Sequence, residues 1–295
     1  MNDQPHWYVL GAGAMGTLIR WHLAEAQLPA TLLHHRTGEQ RRSLTVQGQQ
    51  HPIAVRAMEH CAPQSIARLI ITTKAGQVAA ALDQATPYLR PDAVVLTTAN
   101  GLGFEREIEA FPTPLLRAVT TAAAYRNDEH TVTLISSGRT RVGNPDASGA
   151  APDWFTSSLA QLPGWEWSGT IMEDAGHKFA LNCAINALTA VQRCRNGELL
   201  EQDGAGSALA ALCAECEPVL RELGLWGDAP LLDRAVEVCR STAANRSSML
   251  QDVLAGRDTE IKYLNGELVR RAAPAPLPLN QALVHTLAHL SAARD

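Results

Sequence analysis

Between residues 7 and 142 short apolar runs alternate with stretches whose apolar positions recur every three or four residues. The runs Trp7–Leu10, Thr31–His34, Leu69–Thr73 and Ala93–Thr98 are bounded by Gly, Pro or Asn, which predicts strands. Met15–Ala26 and Gln77–Tyr88 lie between them at helical spacing. That alternation predicts a parallel α/β sheet, extended by Leu115–Thr120, Thr131–Ser136 and Arg139–Val142. From about Ile171 onward only helical periods appear, punctuated by Asn196-Gly197, Gly224, Gly227, Gly256 and the Pro-rich "APAPLPLN". The shift falls near "LPGWEWSGT" and predicts an α/β domain over 1–168 and an all-helical domain over 169–295.

One helical stretch breaks the pattern of a core. In "HKFALNCAINALTAVQRCRNGEL" nearly every face is apolar, which predicts burial. Yet Lys178, Asn182 and Asn186 recur at i, i+4 and i+8 and fall within about 80° of one another. Thr189 and Arg193 share that sector. Asn is a poor choice inside a helix, so the stripe predicts a face that lines a cleft. A lysine there can stabilise and protonate a developing alkoxide, and the amides can hold a carboxylate or hydroxyl.

The chain has 295 residues, 46% hydrophobic and 19% charged, with a formal net charge of −5. It has no basic field for nucleic acid or anionic lipid. The N-terminus lacks a basic region followed by an apolar one, and no apolar run is long enough for a membrane span. These features predict a cytoplasmic protein with no nucleic-acid or membrane partner. The Cys213 and Cys216 pair could form half of a zinc or redox site, but it reads more simply as two apolar residues one helical turn apart. No metal is predicted.

"WYVLGAGAMG" sets Gly11, Gly13 and Gly16 as G-x-G-x-x-G directly after a strand and opening a helix. In a Rossmann-type βαβ unit the first glycine permits the turn and the second admits a pyrophosphate. The third lets helix and strand pack closely. Gly11, Ala12, Gly13, Ala14, Met15 and Gly16 are therefore candidate cofactor residues. At the end of the second strand an NAD site usually carries an acid; here Arg36 takes that place, with Arg41 and Arg42 following. A guanidinium suits a 2′-phosphate, so the expected cofactor is NADP(H).

Taken together, "GAGAMG", "TTKAGQV", "ANGLG", "KFALNCAINALTA", "NGEL", "SSMLQD", "GRDTEI" and "PLN" give a chain that resembles the ketopantoate reductase (2-dehydropantoate 2-reductase) family over nearly its whole length. The resemblance implies an N-terminal Rossmann domain, a helical C-terminal domain and an active site in the cleft between them. It implies NADPH-dependent reduction of ketopantoate to pantoate, on the route to pantothenate and coenzyme A. Lys178 matches the family's proton donor, and Asn182, Asn186 and Asn196 match its substrate contacts. Asn245, Ser247 and Ser248 would meet the substrate from another helix. Lys74, Asn100 and Ala124 would line the nicotinamide side, with Glu260 completing the site near the cofactor. Bland accounts stand beside these: Asn196-Gly197 as a helix stop, and Ser248–Gln251 as a capping box. The chain departs from the family at Ala99, often His, and at Lys262, usually Asp; the strand after Thr121 lacks the usual His and Gly. Another small 2-oxo acid as substrate, or an inactive NADPH-binding relative, are the alternative readings. The oligomeric state is left open, with a homodimer among the options.

Overall fold

Strands form where the apolar runs predict them, and also in segments too polar to announce themselves. The computed structural model describes residues 6–35, 40–146, 148–201 and 205–292. β1 (Trp7–Leu10), β7 (Leu115–Thr120) and β9 (Thr131–Ser136) occupy the expected residues. β2 (Ala30–His34), β5 (Ile66–Ile71), β6 (Leu89–Thr97) and β10 (Thr140–Gly143) differ from expectation only at their ends. β3 (Gln40–Val46), β4 (Gln49–Ala57), β8 (Ala123–Arg126) and β11 (Trp165–Trp167) are additional. β3 and β4 form a hairpin closed by Gln47 and Gly48, both at positive φ. This is the backbone that a two-residue type I′ turn demands. Along β4 the buried Ile53, Val55 and Ala57 alternate with exposed positions.

The strands build one sheet in the order β11-β10-β7-β6-β5-β1-β2-β4-β3-β9-β8. From β7 through β4 the ladder is parallel. α1 (Ala14–Glu25) connects β1 to β2, and α2 (Val78–Ala85) lies between β5 and β6. The β3–β4 hairpin stands where a crossover helix would normally separate β2 from its parallel neighbour. β8 begins three residues after β7 ends, yet the two lie far apart in the strand order. Three Cα steps reach at most about 11 Å, so the sheet must curl back on itself. It curls around α1, which touches β1, β2, β3, β4, β8 and β9. Leu18, Ile19 and Leu23 of α1 are buried there against Val9, Leu32, Leu44 and Val132.

α3 (Asp153–Thr156) is followed by β11 and then by helices: α4 (Ile171–Gln192), α5 (Glu198–Glu201), α6 (Ala205–Glu222), α7 (Leu231–Ser241), α8 (Ser248–Leu254), α9 (Asn265–Ala272) and α10 (Pro278–Ala292). Phe179, Cys183, Leu212, Leu220, Leu268 and Leu287 pack in their common core. Two fully buried amides tie three elements together within it. Asn265 Nδ2 donates to the Cys183 carbonyl of α4 (2.9 Å) and to Asn280 Oδ1 (2.8 Å). The Glu215 carboxylate of α6 accepts from the Leu279 and Asn280 N–H groups and so caps α10.

α4 does not stop at Asn196-Gly197. Arg193 takes the left-handed conformation at φ +51°, and the Cys194 N–H donates to the Thr189 carbonyl (3.1 Å). That six-to-one bond is a Schellman ending at Gln192, built on an arginine instead of a glycine. Arg193 is thus outside the helix and outside its polar stripe.

The chain clusters into two compact units, one reaching to Ala99 and resuming from Arg106 to Ile171, the other comprising Asn100–Glu105 and the chain from Met172. Asn100–Glu105 is held in the helical unit by the Leu102 N–H, which donates to the Tyr263 carbonyl (2.9 Å). Gly101, at φ +84°, permits this approach, since a Cβ there would overlap that same carbonyl. Among the described residues no helix is long and apolar enough to cross a membrane.

His22 of α1 is buried, and burial holds its imidazole below the usual 6.5, partly opposed by Glu25. The folded chain therefore takes up this proton at lower pH than the unfolded chain. The stability it contributes is whole above about 6.5 and is lost as pH falls from there through the folded pKa. The Tm should drop between about pH 7.5 and about pH 5.5, and His22→Leu should drop less. Parallel slopes for the two proteins would remove His22 from the account.

Candidate active site

β1 ends at Leu10, and the turn that follows is packed from below by Thr72. The Gly11 N–H donates to the Leu33 carbonyl (3.0 Å), and Thr72 Oγ1 donates to the Gly11 carbonyl (2.9 Å). Gly11 sits at φ +117°, and a Cβ there would come within 2.7 Å of Thr72 Oγ1. A Cβ on Gly16 would overlap the Gly11 carbonyl itself. Gly13 differs, because no atom lies within 4 Å of where its Cβ would be. Packing thus requires the outer glycines, and the middle one faces open space.

That space lies at an uncapped helix start. Gly13 is the N-cap of α1, with no side chain bonded to the cap and no acid in the first turn. Exposed N–H groups at the positive end of a helix favour an anion. Beyond β5, the Thr73 N–H nitrogen would lie 3.3 Å from a Gly11 Cβ, and Thr73 Oγ1 is buried with no hydrogen-bond partner. Open space, an uncapped helix and an orphaned hydroxyl together fit a pyrophosphate. Ala12, Ala14, Met15 and, from β8, Ala124 pack against the core around α1. Lys74 is half-buried and opens the 3-10 turn Ala75–Gln77 past the carboxyl end of β5. Arg36 lies outside the described residues.

On α4, Lys178, Asn182 and Asn186 are each partly exposed, while Phe179, Ala180, Cys183, Ala184 and Ala187 around them are buried. The polar stripe is a partly accessible side of a helix most of whose side chains are buried, although Glu173, His177 and Val191 are exposed on another side. Thr189, further along it, is fully buried, and its hydroxyl donates to Ser247 Oγ (2.8 Å). Ser247 in turn accepts from the Leu250 N–H (3.0 Å) and caps α8. The cap therefore lies one residue before the predicted Ser248, which is exposed. Gln251 donates to the Arg246 carbonyl (3.0 Å) without closing a capping box on Ser248. Asn196 receives the same kind of anchoring: its N–H donates to the Asn245 carbonyl (3.0 Å) and its Nδ2 to Thr242 Oγ1 (2.8 Å). Its Oδ1 is buried with no partner, an acceptor ready for a donor. Asn100 Nδ2 donates to Glu260 Oε2 (3.2 Å), so two residues far apart in sequence form one half-buried polar pair.

The ketopantoate reductase PanE/ApbA family model matches residues 7–147, and the C-terminal model of the same family matches 170–291. The chain belongs to the ketopantoate reductase family. It is 34% identical over 285 residues to the 2-dehydropantoate 2-reductase of Vibrio cholerae, covering 93% of this chain and 94% of that protein. A ketopantoate reductase from Ralstonia eutropha JMP134 shares the fold, with a TM-score of 0.85 at 22% identity over 98% of this chain and 99% of that one. So does D-mandelate dehydrogenase bound to NADH and anilino(oxo)acetate, with a TM-score of 0.87 at 21% identity and the same coverage.

Within this member of the ketopantoate reductase family, several residues around the glycine turn escape a reading of the sequence. Thr72 and Thr73 lie in "TTKAG", where only the lysine draws notice. Arg42 looks like one of a run of solvated cations but is 8% exposed, and its Nε donates to the Ala12 carbonyl (3.1 Å). The alternation of buried and open positions along β3 is the signal that could have found it. The Ala99 carbonyl accepts from Arg117, buried on β7 (3.5 Å), and Lys262 donates to the Tyr263 hydroxyl (3.3 Å). Cys213 and Cys216 are buried free thiols, each pushed up to about 12 by burial. They stay protonated near neutrality and are poor nucleophiles or metal ligands.

The different roles of the glycines can be separated by adding one methyl group to each. Gly16→Ala should cost at least about 1–3 kcal/mol by overpacking against the Gly11 carbonyl, seen as a lowered Tm. Gly13→Ala should leave the Tm nearly unchanged but weaken dinucleotide binding in a fluorescence titration. Equal thermal effects at the two positions would contradict the assigned packing.

Proposed function

We propose that this chain reduces ketopantoate to pantoate with NADPH, as a cytoplasmic enzyme. The observation that carries the reading is the α4 stripe: a lysine and two amides accessible along one side of a buried helix. Full-length similarity to 2-dehydropantoate 2-reductases supports the substrate, and the fit of the glycine turn to a pyrophosphate supports the cofactor. When bound, NADPH supplies the hydride to the 2-oxo carbon.

The residues of the chain do the rest. Gly11 through Gly16 hold the pyrophosphate by backbone N–H groups, and Arg36 pairs with the 2′-phosphate. Lys74, Ala124 and the Asn100–Glu260 pair border the nicotinamide. Asn182 and Asn186 orient the small acid through its carboxylate and hydroxyl. Asn196, through its unpartnered Oδ1, receives a hydroxyl, with Asn245, Ser247 and Ser248 on the adjoining segment. Lys178 gives a proton to the carbonyl oxygen as charge develops on it, so that hydride and proton together yield the alcohol. Lys178 regains its proton from water between turnovers.

Lys178→Met keeps the aliphatic stem and removes the ammonium. It should lower kcat by roughly 10²–10⁴-fold, the scale of a positioned general acid, with little change in NADPH affinity. Turnover near the wild-type rate would assign the proton to another donor. Arg36→Ala should raise the KM for NADPH and spare that for NADH, by loss of a charge-assisted pair of about 1.5–3 kcal/mol. Equal effects on both cofactors would remove Arg36 from the 2′-phosphate site. In a panel following NADPH absorbance, ketopantoate should give the highest kcat/KM. Pyruvate or 2-oxoisovalerate turned over equally well would point to a different 2-oxo acid.

A further inference from the structure

We infer that Arg42 is a positioning residue for the dinucleotide pyrophosphate: from β3 it fixes and polarises the peptide group that presents the Gly13 N–H. The inference rests on the reading of the glycine turn as a dinucleotide site. Arg42 comes from the hairpin that stands in place of a crossover helix, so the element that brings it to the turn is itself a departure from the usual βαβ unit. The residue is 8% exposed, and its side chain reaches, among others, the Ala12 carbonyl from Nε (3.1 Å), the Arg41 carbonyl from Nη1 (3.1 Å) and Gln40 Oε1 from Nη2 (3.1 Å).

The Ala12 carbonyl and the Gly13 N–H belong to one planar peptide, and it is trans. Its two polar ends therefore point in opposite directions. A guanidinium that holds the carbonyl end aims the N–H end away from β3. Among the described residues that N–H has no acceptor, and Gly13 is the position with open space beside it. A cation hydrogen-bonded to a carbonyl also draws electron density from the amide, which makes its N–H a stronger donor. The effect is large where the cation is shielded from water, as here. Arg42 thus acts on the pyrophosphate through a backbone amide, without touching the 2′-phosphate that separates NADPH from NADH.

The test is a fluorescence titration of NADPH and NADH against wild type, Arg42→Lys and Arg42→Met, with the Tm of each apo protein and the Gly13 amide resonance of glycine-¹⁵N-labelled samples. Arg42→Met should weaken both cofactors by the same factor, about tenfold, the loss of one hydrogen bond to a charged group. The Gly13 amide proton should move upfield. Arg42→Lys, which retains the charge, should recover part of both. Should Arg42→Met fail to fold, Gln40→Met removes the Nη2 acceptor and should move the same readouts in the same direction, to a smaller extent. Unchanged affinities and an unmoved Gly13 amide would overturn the inference, as would loss of NADPH binding alone. A wild-type protein that binds neither dinucleotide would instead overturn the reading of the turn on which the inference stands.

Discussion

The Gly11 carbonyl and the backbone of Gly16 approach so closely that one methyl group would not fit between them. This contact sets the distance between β1 and α1, and the rest of the sheet unit follows from it. With α1 lying so low, Leu18, Ile19 and Leu23 reach the parallel strands, and the curled sheet can close around the helix from β8 and β9. Thr72 reinforces the arrangement by bonding the carbonyls of Leu10 and Gly11. The same closeness leaves the amides of the first helical turn facing outward at Gly13. A packing requirement inside the unit therefore produces an anion-binding surface on it.

The helical unit solves a different problem, that of keeping polar groups accessible on a helix most of whose side chains are buried. α4 is anchored through its backbone: Asn265 holds the Cys183 carbonyl, and the Thr189 hydroxyl holds the cap of α8. Neither anchor occupies Lys178, Asn182 or Asn186, whose side chains stay on the open side. Fully buried amides and hydroxyls are costly unless bonded. Among the described residues of this unit, the buried side-chain atoms left unbonded are Asn196 Oδ1 and Asn265 Oδ1. Asn265 is spent on structure through its Nδ2, whereas Asn196 borders the segment that carries Asn245.

The parallel strands and α4 were legible in the sequence because burial dictates their composition directly. β1 is bounded by the glycine turn, and the polar stripe on α4 stands out against an apolar helix. The β3–β4 hairpin was illegible for the same reason in reverse. It is half-polar, and Gln47-Gly48 is a weaker turn signal than Asn-Gly. The sequence marks Arg42 only as one of the arginines that follow Arg36, because a run of cations carries no burial signal, and only the strand period turns it inward. The end of α4 at Gln192 is hidden in the sequence, because a left-handed arginine carries no compositional mark while Asn-Gly is conspicuous. Ser247 and Ser248 are adjacent serines, and which of them caps α8 depends on Thr189, far away in sequence. The Asn100–Glu260 bond is of the same kind: its partners are each ordinary turn residues until the fold brings them together.

The membership of Asn100–Glu105 in the helical unit has a consequence in time. During synthesis this segment leaves the ribosome before any helix of the unit that it completes. Leu102, buried in the helical core of the finished protein, has none of those helices to pack against when it is made. The carbonyl that receives the Leu102 N–H belongs to Tyr263, far along the chain from it. The Leu102 N–H therefore waits for its acceptor until the chain has been made far beyond the sheet unit, and this segment is ordered by residues that come long after it.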